Sequence, residues 1–279
     1  MPNRPGLLDC VERYFAAAPL PDARIATAGA LDVPLGDPAW PYPARPRQEA
    51  GPVTADDIRT ALQLQSRAGL PGAVEWIPER SPGTAAAARA AGLAVDELPL
   101  LVAADPVDLL LPAGVRLYVV GADDPELPRY QQVAVIAFGA PAPAGAQDGA
   151  GAQDGAPGEG SPQVDPLAET RTAVLRERID TGRTVMMVAV ENDRPVAVGC
   201  HQPVDLDGTE VSEIVGVATL PRFRGRGLGA GIASALAAHA RESADMVFLA
   251  AGDDDVARVY ERVGFARLGT TALAEPPGA

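Results

Sequence analysis

The chain has 279 residues, of which 47% are hydrophobic and only 4% aromatic, and its formal net charge is −14. This length is enough to bury a substantial core in one large domain or two smaller ones. The negative charge argues against general nucleic-acid binding, which needs a basic face. All 23 basic residues are arginines. Without lysine, the chain can form neither a Walker-A phosphate loop nor a lysine Schiff base.

The sequence predicts a soluble, cytoplasmic protein that is not bound to a membrane. Apolar runs stay well short of the roughly 20 residues that span a bilayer, and the N-terminal MPNRPGLLDCVERYF lacks the apolar core of a signal peptide. Cys10 and Cys200 show no metal-like spacing and indicate reduced thiols. His201 and His239 form no ligand pattern either, so no metal site is expected, and the helical spacing of His239 favours packing on a helix face.

The N-terminal part shows helices and strands after a poorly patterned start. Residues 20–52 are rich in proline and are expected to be irregular. Thr54 is a candidate N-cap for a helix over 55–69. A strand near 73–79, an alanine-rich helix near 82–92 and a strand near 93–105 are predicted to follow.

A low-complexity segment interrupts the second part of the chain. VRLYVV and LPRYQQVAVIAFG predict a strand and a helix, and residues 139–166 follow them with AGAQDG in tandem at 144–149 and 150–155. This segment has almost no large apolar side chain to offset its ordering entropy and is predicted to be a disordered insertion within a domain. A helix is expected to resume at PLAETRTAVLRERIDTG.

The remaining residues predict mostly antiparallel strands followed by a β-α-β-α series. Asp253 or Asp254 is expected to cap the last helix, and Gly264 to end it. The predicted strands lie at 184–193, 195–204, 209–220 and 246–252, with a helix from the glycine-rich loop to about Ser243.

The order helix, strand, helix, strand occurs in both parts of the chain. We interpret this repetition as a sign of a duplicated half-module, with an unrelated α/β cap as the alternative. The predicted division is an N-terminal α/β domain over residues 1–112 and a second domain over 113–279.

The segment PRFRGRGLGAG connects a strand to a helix and predicts an anion site. Its glycines permit close approach, and the first helical N–H groups and the helix dipole attract a phosphate or pyrophosphate. A flexible surface linker is the simplest alternative. A dinucleotide fold is another, since Gly225-x-Gly227-x-x-Ala230 fits its permissive fingerprint with Asp245 downstream. Asp245 precedes the next strand instead of ending it, and too few residues follow for further βαβ units.

Two motifs resemble those of the GCN5-related N-acetyltransferases (GNAT). The segment VGVATLPRFRGRGLGAGI is similar to the family's acetyl-CoA motif, with Arg224, Gly227 and Gly229 at the motif positions. DDDVARVYERVGF is similar to its second motif through Tyr260 and the Gly264–Phe265 pair. Asp253 stands where the family usually has Asn, and Val256 where it has Ala. The resemblance covers about residues 113–270.

This resemblance implies a mixed, mostly antiparallel central sheet flanked by helices, an α/β (α+β) fold with a smaller N-terminal α/β portion. It also implies acetyl-CoA as cosubstrate. The strand before the loop would separate from its neighbour and bind the pantetheine arm, and main-chain N–H groups of the loop would wrap the pyrophosphate. The implied cofactor-binding residues are Val217, Ala218, Thr219, Arg224, Gly225, Arg226, Gly227, Leu228, Gly229 and Asp253.

Acetyl transfer to an amine requires a base for the ammonium and a proton donor for the departing thiolate. Tyr260 stands at the position of the family's thiol-facing tyrosine and is the candidate acid. Glu213 is the candidate base, because alternation would place it on one strand face with Val215 and Val217, toward the cofactor. Glu210, on the opposite face, is the alternative base.

The resulting hypothesis is an N-acetyltransferase that acts by direct attack in a ternary complex, because no cysteine lies near the motifs. A non-catalytic CoA-binding or regulatory protein of the same fold is the alternative. The acceptor would be a small amine or a protein amine, and the oligomeric state a monomer or homodimer. The N-terminal RPRQEAGPV lacks a Gly-x-Gly, so one cofactor per chain is expected.

Overall fold

The computed structural model describes residues 4–104, 109, 111–139 and 167–278. The predicted disordered insertion at 139–166 lies, except for its first residue, outside the described residues. In the described part of the chain, no helix combines the length and apolarity that a membrane crossing requires.

Seven α-helices and eleven strands alternate along the described residues. The helices are α1 (Arg4–Ala17), α2 (Ala55–Arg67), α3 (Thr84–Ala90), α4 (Leu127–Gly139), α5 (Ala168–Asp180), α6 (Leu228–Ala240) and α7 (Asp254–Glu261). The strands are β1 (Arg24–Ala28), β2 (Leu31–Leu35), β3 (Arg45–Pro46), β4 (Val74–Trp76), β5 (Ala94–Ala103), β6 (Val115–Val119), β7 (Val185–Glu191), β8 (Arg194–Asp205), β9 (Glu210–Thr219), β10 (Met246–Ala250) and β11 (Phe265–Glu275).

The central sheet has eight strands in the order β4-β11-β5-β10-β9-β8-β7-β6. Within it, only β9 and β10 pair in parallel. A smaller sheet, β1-β2-β3, joins the edge strand β4 through a parallel bridge between Ala44 and Val74. This arrangement confirms the predicted fold class and excludes the parallel sheet that a dinucleotide fold needs.

Helices cover both faces of the sheet. On β7, Met187 and Ala189 pack in the cluster around α6, whereas Met186 and Val188 pack against α4 and α5. This alternation places the two sets of helices on opposite faces. Helices α2, α3, α6 and α7 lie on one face, and α1, α4 and α5 lie on the other.

The two parts of the chain repeat one topology. The series β1-β2-β3-α2-β4-α3-β5 has the same element order as β7-β8-β9-α6-β10-α7-β11. In this series, β10 is the counterpart of β4, and β11 is the counterpart of β5. The two pairs are arranged symmetrically in the sheet: if each strand in the order β4-β11-β5-β10 is replaced by its counterpart, the same order results in the reverse direction. The topology therefore favours a duplicated half-module over an unrelated cap. Since one sheet takes strands from both sides of residue 112, the division into two domains stays a prediction.

The expectation of an irregular segment over residues 20–52 was wrong. The segment contains β1 and β2, a hairpin that turns at Gly29 with φ of +55°. Leu31 and Val33 are fully buried beneath α2. The prolines of this segment obscured the alternation of buried and more exposed residues along the strands, although Pro34 lies within β2 itself. Helix α1 was also not predicted, although Leu8, Val11 and Phe15 are spaced for one buried helix face.

The chain's two histidines contact each other between β8 and α6. His201 Nε2 lies 3.0 Å from His239 Nδ1, and His201 Nδ1 lies 2.9 Å from Ser212 Oγ. Burial, with a smaller effect from His239, lowers the pKa of His201 to about 4. His201 is therefore neutral in the fold at pH values where an unfolded histidine is already charged.

This pair predicts a loss of stability in mild acid. The side chain of His201 takes up a proton near pH 6.5 in the unfolded chain, but only near pH 4 in the folded chain. The free energy of unfolding should fall as the pH drops through this window, by up to about 1.4 kcal/mol per pH unit. Urea unfolding of the wild type and of His201→Gln at a series of pH values measures the slope.

In His201→Gln, the free energy of unfolding should depend less steeply on pH than in the wild type, whatever the stability of the variant at neutral pH. His239→Gln should keep most of the wild-type slope, because burial is the larger cause of the shift. Equal slopes in the wild type and His201→Gln would contradict the assignment.

Candidate functional site

Strands β9 and β10 pair over only part of their length. Their parallel register joins Met246 with Val211 and ends at Leu249 with Ile214. Strand β9 continues to Thr219 with β8 on one edge, while after Leu249 the chain turns to β5, and Ala251 donates to the Pro99 carbonyl oxygen. The edge of β9 after Ile214 therefore borders a cleft instead of a strand.

A β-bulge lies in the free part of β9. The register with β8 passes from Val215–Cys200 to Ala218–Val198, so Gly216 and Val217 together oppose Gly199. Gly216 has φ of +63°, a conformation that favours glycine. The extra residue reverses the alternation of side chains beyond it.

The bulge corrects the predicted face of Glu213. Val217 packs in the cluster around α6, whereas Tyr14 of α1, on the other side of the sheet, interacts with Glu213. Glu213 and Val217 therefore do not share a face, because strict alternation fails at the bulge. Glu213 faces the side of the sheet that carries α1, opposite to α6.

The glycine-rich loop enters α6 without a side-chain cap. Gly225 and Gly227 have φ of +75° and +79°, and a Cβ added at either would meet no atom within 4 Å. Gly227 is the N-cap residue and makes no side-chain hydrogen bond to the helix. The first N–H groups of α6 thus have no side-chain cap and stand at the positive end of the helix dipole, as an anion site requires.

The neighbouring arginine side chains already have protein partners. Arg224 donates to the Ala137 carbonyl oxygen at 2.7 Å, and Arg226 pairs with Glu191 at 2.6 Å. These two arginines are therefore less available to an anion than the uncapped main-chain N–H groups at the start of α6.

A cleft of about 640 Å³ joins the loop, β9 and α7. It is lined by eight of the predicted site residues, namely Val217, Thr219, Arg224, Gly225, Gly227, Leu228, Gly229 and Tyr260. Ala218 is buried against the opposite face, in the cluster with α4 and α5. Asp253 is the N-cap of α7, as predicted, and accepts a 2.7 Å hydrogen bond from the Val256 N–H.

Tyr260 lies at the inner wall of the cleft. Its ring is 6.0 Å from that of Phe265, and burial raises the pKa of its hydroxyl to about 12. Among the described residues, none forms a hydrogen bond with this hydroxyl. Tyr260 is therefore protonated at neutral pH and able to donate.

Glu213 is a carboxyl group in an unusual environment. Burial, followed by the charge of Glu75, raises its pKa to about 8, against smaller lowering effects of Arg45 and Tyr14. The Tyr14 hydroxyl also donates to the Gln202 carbonyl oxygen at 3.0 Å. A carboxyl with this pKa exchanges a proton near neutral pH, as a general base requires.

Glu210 lies at the far end of β9. Its carboxylate accepts a 2.5 Å hydrogen bond from the Ser243 hydroxyl. Seven residues separate it from Val217, about 23 Å along a strand.

Sequence reasoning missed three residues that act on Glu213. Tyr14, Arg45 and Glu75 come from α1, β3 and β4. No motif connects them, and Glu75 lies 138 positions before Glu213. Only the fold brings these distant segments together.

Residues 159–265 match the acetyltransferase (GNAT) family model. This part of the chain matches a GNAT domain, and the mixed, mostly antiparallel sheet flanked by helices is the fold of the GNAT acetyltransferases. No curated protein gives a significant match to the sequence.

Solved structures share the architecture over nearly the whole chain. A GCN5-related N-acetyltransferase from Kribbella flavida is 23% identical, with a TM-score of 0.63 over 96% of this chain and 95% of that one. A Novosphingobium aromaticivorans protein assigned to the GNAT family is 16% identical, with a TM-score of 0.56 over 95% and 94%. A conserved Staphylococcus epidermidis protein of unknown function is 17% identical, with a TM-score of 0.50 over 91% and 93%. These likenesses extend the shared fold to the N-terminal half.

The environment of Glu213 predicts that Glu75→Gln lowers its pKa. The substitution removes a like charge and leaves Arg45 to act on Glu213 alone. A ¹³C NMR titration of labelled glutamate side chains should show a group near pH 8 in the wild type, absent in Glu213→Gln. In Glu75→Gln this group should titrate at lower pH.

Glu79→Gln is the matched control, since Glu79 is a nearby carboxylate paired with Arg4 and has no effect on Glu213. An equal displacement in both variants would show that Glu75 does not act through its charge on Glu213.

Proposed function

We propose that the protein is an acetyl-CoA-dependent N-acetyltransferase that acetylates a primary amine by direct attack. One observation carries the proposal: the unpaired edge of β9, the uncapped N-terminus of α6 and the Tyr260 hydroxyl all border one cleft. No other described part of the chain combines these features.

The residues of the cleft fit the two ends of coenzyme A. The N–H groups at 225–229 suit a pyrophosphate, since they are open to the cleft and stand at a helix N-terminus. The main-chain groups of β9 beyond Ile214 suit the amides of a pantetheine arm, which would complete their pairing. When bound, acetyl-CoA would supply the acetyl group as a thioester, whose C–S bond breaks as the amide C–N bond forms.

Glu213 and Tyr260 supply the two proton transfers. The Glu213 carboxylate accepts a proton from the acceptor ammonium and frees the nitrogen lone pair. The Tyr260 hydroxyl donates a proton at the departing sulfur and regains one afterwards. The nitrogen loses two protons overall. One is accounted for by the S–H of the free thiol, and the other is released to solvent.

We infer that the described residues of the N-terminal half form no equivalent cofactor site. Its counterpart of α6 is α2, whose first turn is closed by a capping box between Thr54 and Asp57. Asp56 adds a second negative charge there. Because a phosphate would meet satisfied N–H groups and two carboxylates, we expect one cofactor per chain.

Gly227→Ala should weaken coenzyme A binding at least tenfold. A Cβ would stand at the open side of the loop, and the left-handed conformation at +79° costs a non-glycine residue about 1–2 kcal/mol. Isothermal titration with coenzyme A and with acetyl-CoA measures affinity and stoichiometry, which should be near one in the wild type.

Gly182→Ala is the control for the backbone cost. Gly182 follows α5 with φ of +72°, and no atom lies within 4 Å of its added Cβ. Gly182→Ala should lose about as much stability as Gly227→Ala but bind coenzyme A with the affinity of the wild type. No binding to the wild type would overturn the proposal, and a stoichiometry near two would contradict the single site.

Tyr260→Phe should reduce kcat by about 10²–10⁴, the usual contribution of a general acid. The ring packing against Phe265 is kept, so affinity for acetyl-CoA should stay within about twofold. Free thiol released from acetyl-CoA with a panel of primary amines gives the rate. Unchanged turnover would remove Tyr260 from the mechanism, and binding without thiol release by the wild type would favour a non-catalytic protein.

A further inference from the structure

A second cavity lies in the N-terminal half, on the same side of the sheet as α1. It has a volume of about 240 Å³ and is lined by residues of α1 and of strands β1, β2, β3 and β4. Phe15, Ile25, Pro34 and Ile77 form apolar walls. This volume is below the roughly 300–1,000 Å³ of pockets for drug-sized ligands. The cavity therefore suits a small molecule with an apolar body.

One side of this cavity is a fixed pair of charges. Arg45 stacks 3.5 Å above the centre of the Phe15 ring and pairs with Glu75 at 2.5 Å. The second carboxylate oxygen of Glu75 accepts a 3.0 Å hydrogen bond from the Thr271 hydroxyl. These contacts hold both side chains, each only 17% exposed, in one position.

The other carboxylates of the cavity are less well compensated. Asp32 lies on β2 and forms no ion pair with any described residue, and the contact of Glu12 with Arg80 spans 4.0 Å. Burial raises the pKa of both carboxyl groups. Arg47, which also lines the cavity, acts against this shift at Asp32, and a cationic ligand would add further counter-charge beside both groups.

The cavity lies close to Glu213, which is not one of its lining residues. The ring of Tyr14 is 5.9 Å from that of the lining Phe15, and its hydroxyl donates to the carbonyl oxygen of Gln202, the β8 partner of Glu213. Arg45 and Glu75 line the cavity and also act electrostatically on Glu213. Tyr14, which precedes Phe15 on α1, interacts with the Glu213 carboxyl. The bulge in β9 turns Glu213 away from the face of the glycine-rich loop and toward these residues.

We propose that this cavity is the acceptor site, and that the acceptor is a small primary amine on an apolar body, cationic at neutral pH. The apolar body packs among Phe15, Ile25 and Ile77, and the ammonium lies at Glu213. This inference rests on the proposed acetyltransferase function. It assigns to the N-terminal half the selection of the acceptor.

Ala16→Phe tests the site without removing a residue of the core. Ala16 is exposed on α1 and lines the cavity, so the larger side chain can fill the cavity. Thiol release is measured with benzylamine, cyclohexylamine and putrescine, and with a lysine-containing peptide. The KM of the apolar amines should rise at least about tenfold, while the KM and dissociation constant of acetyl-CoA stay unchanged.

Ala86→Phe is the matched control, the same substitution at an exposed helical position on α3 away from the cavity. It should leave both constants at wild-type values. Asp32→Asn should weaken the binding of benzylamine but not that of the neutral benzyl alcohol, as measured by calorimetry.

The possible outcomes separate this inference from the proposed function. Acetylation of apolar amines with an unchanged KM in Ala16→Phe would overturn the cavity assignment and leave the acetyltransferase standing. Acetylation of the peptide but of none of the small amines would overturn it as well. Failure of the wild type to bind acetyl-CoA would overturn the proposed function itself.

Discussion

The separation of β9 from β10 after Ile214 is the feature on which the site depends. Main-chain groups of a strand are almost always paired, and leaving a buried row of them without partners is costly. Here β8 holds one edge of β9, and the other edge is open to the cleft. The bulge at Gly216 occurs in this open stretch, where no second neighbour constrains the register. The same separation gives room for the N-terminus of α6 and for Tyr260 to face the cleft.

The duplicated topology shows how two similar half-modules differ in chemistry. Helices α2 and α6 occupy equivalent places, but α2 satisfies its first turn with its own Thr54 and Asp57, whereas α6 begins at Gly227 with no side-chain cap. A capping box stabilises the helix and removes the anion site by the same hydrogen bonds. The uncapped helix loses that stabilisation and leaves its first N–H groups without a side-chain partner, as the proposed cofactor site requires.

Much of the C-terminal half could be predicted because its signals are local. The helix N-cap at Asp253, the strands around the Asn192–Asp193 turn and the glycine-rich loop each depend on residues a few positions apart. The hairpin of β1 and β2 was missed because the prolines in this segment are typical of loops. Strand order and the pairing of β5 with both β10 and β11 depend on contacts between distant segments, and no local pattern contains them.

The face of Glu213 shows the limit of pattern reasoning within a strand. Alternation correctly placed Glu213 with Val215 but failed at Val217, because one extra residue at the bulge reverses every later position. Gly216 was the available signal, since a glycine inside a strand often marks a bulge. The correction matters for function. It turns the candidate base toward the N-terminal half, away from the face on which the glycine-rich loop lies.

The protonation of Glu213 therefore depends on residues of the N-terminal half and on what binds beside them. Arg45 and Glu75 act on it with opposite signs, so burial is left as the main cause of its raised pKa. An ammonium next to Glu213 favours the charged carboxylate and lowers this pKa again. Under the proposed mechanism, the acceptor would thus help to ionise its own base. Glu213 would be largely neutral in the free protein, where a buried charge is costly, and charged when a proton has to be removed.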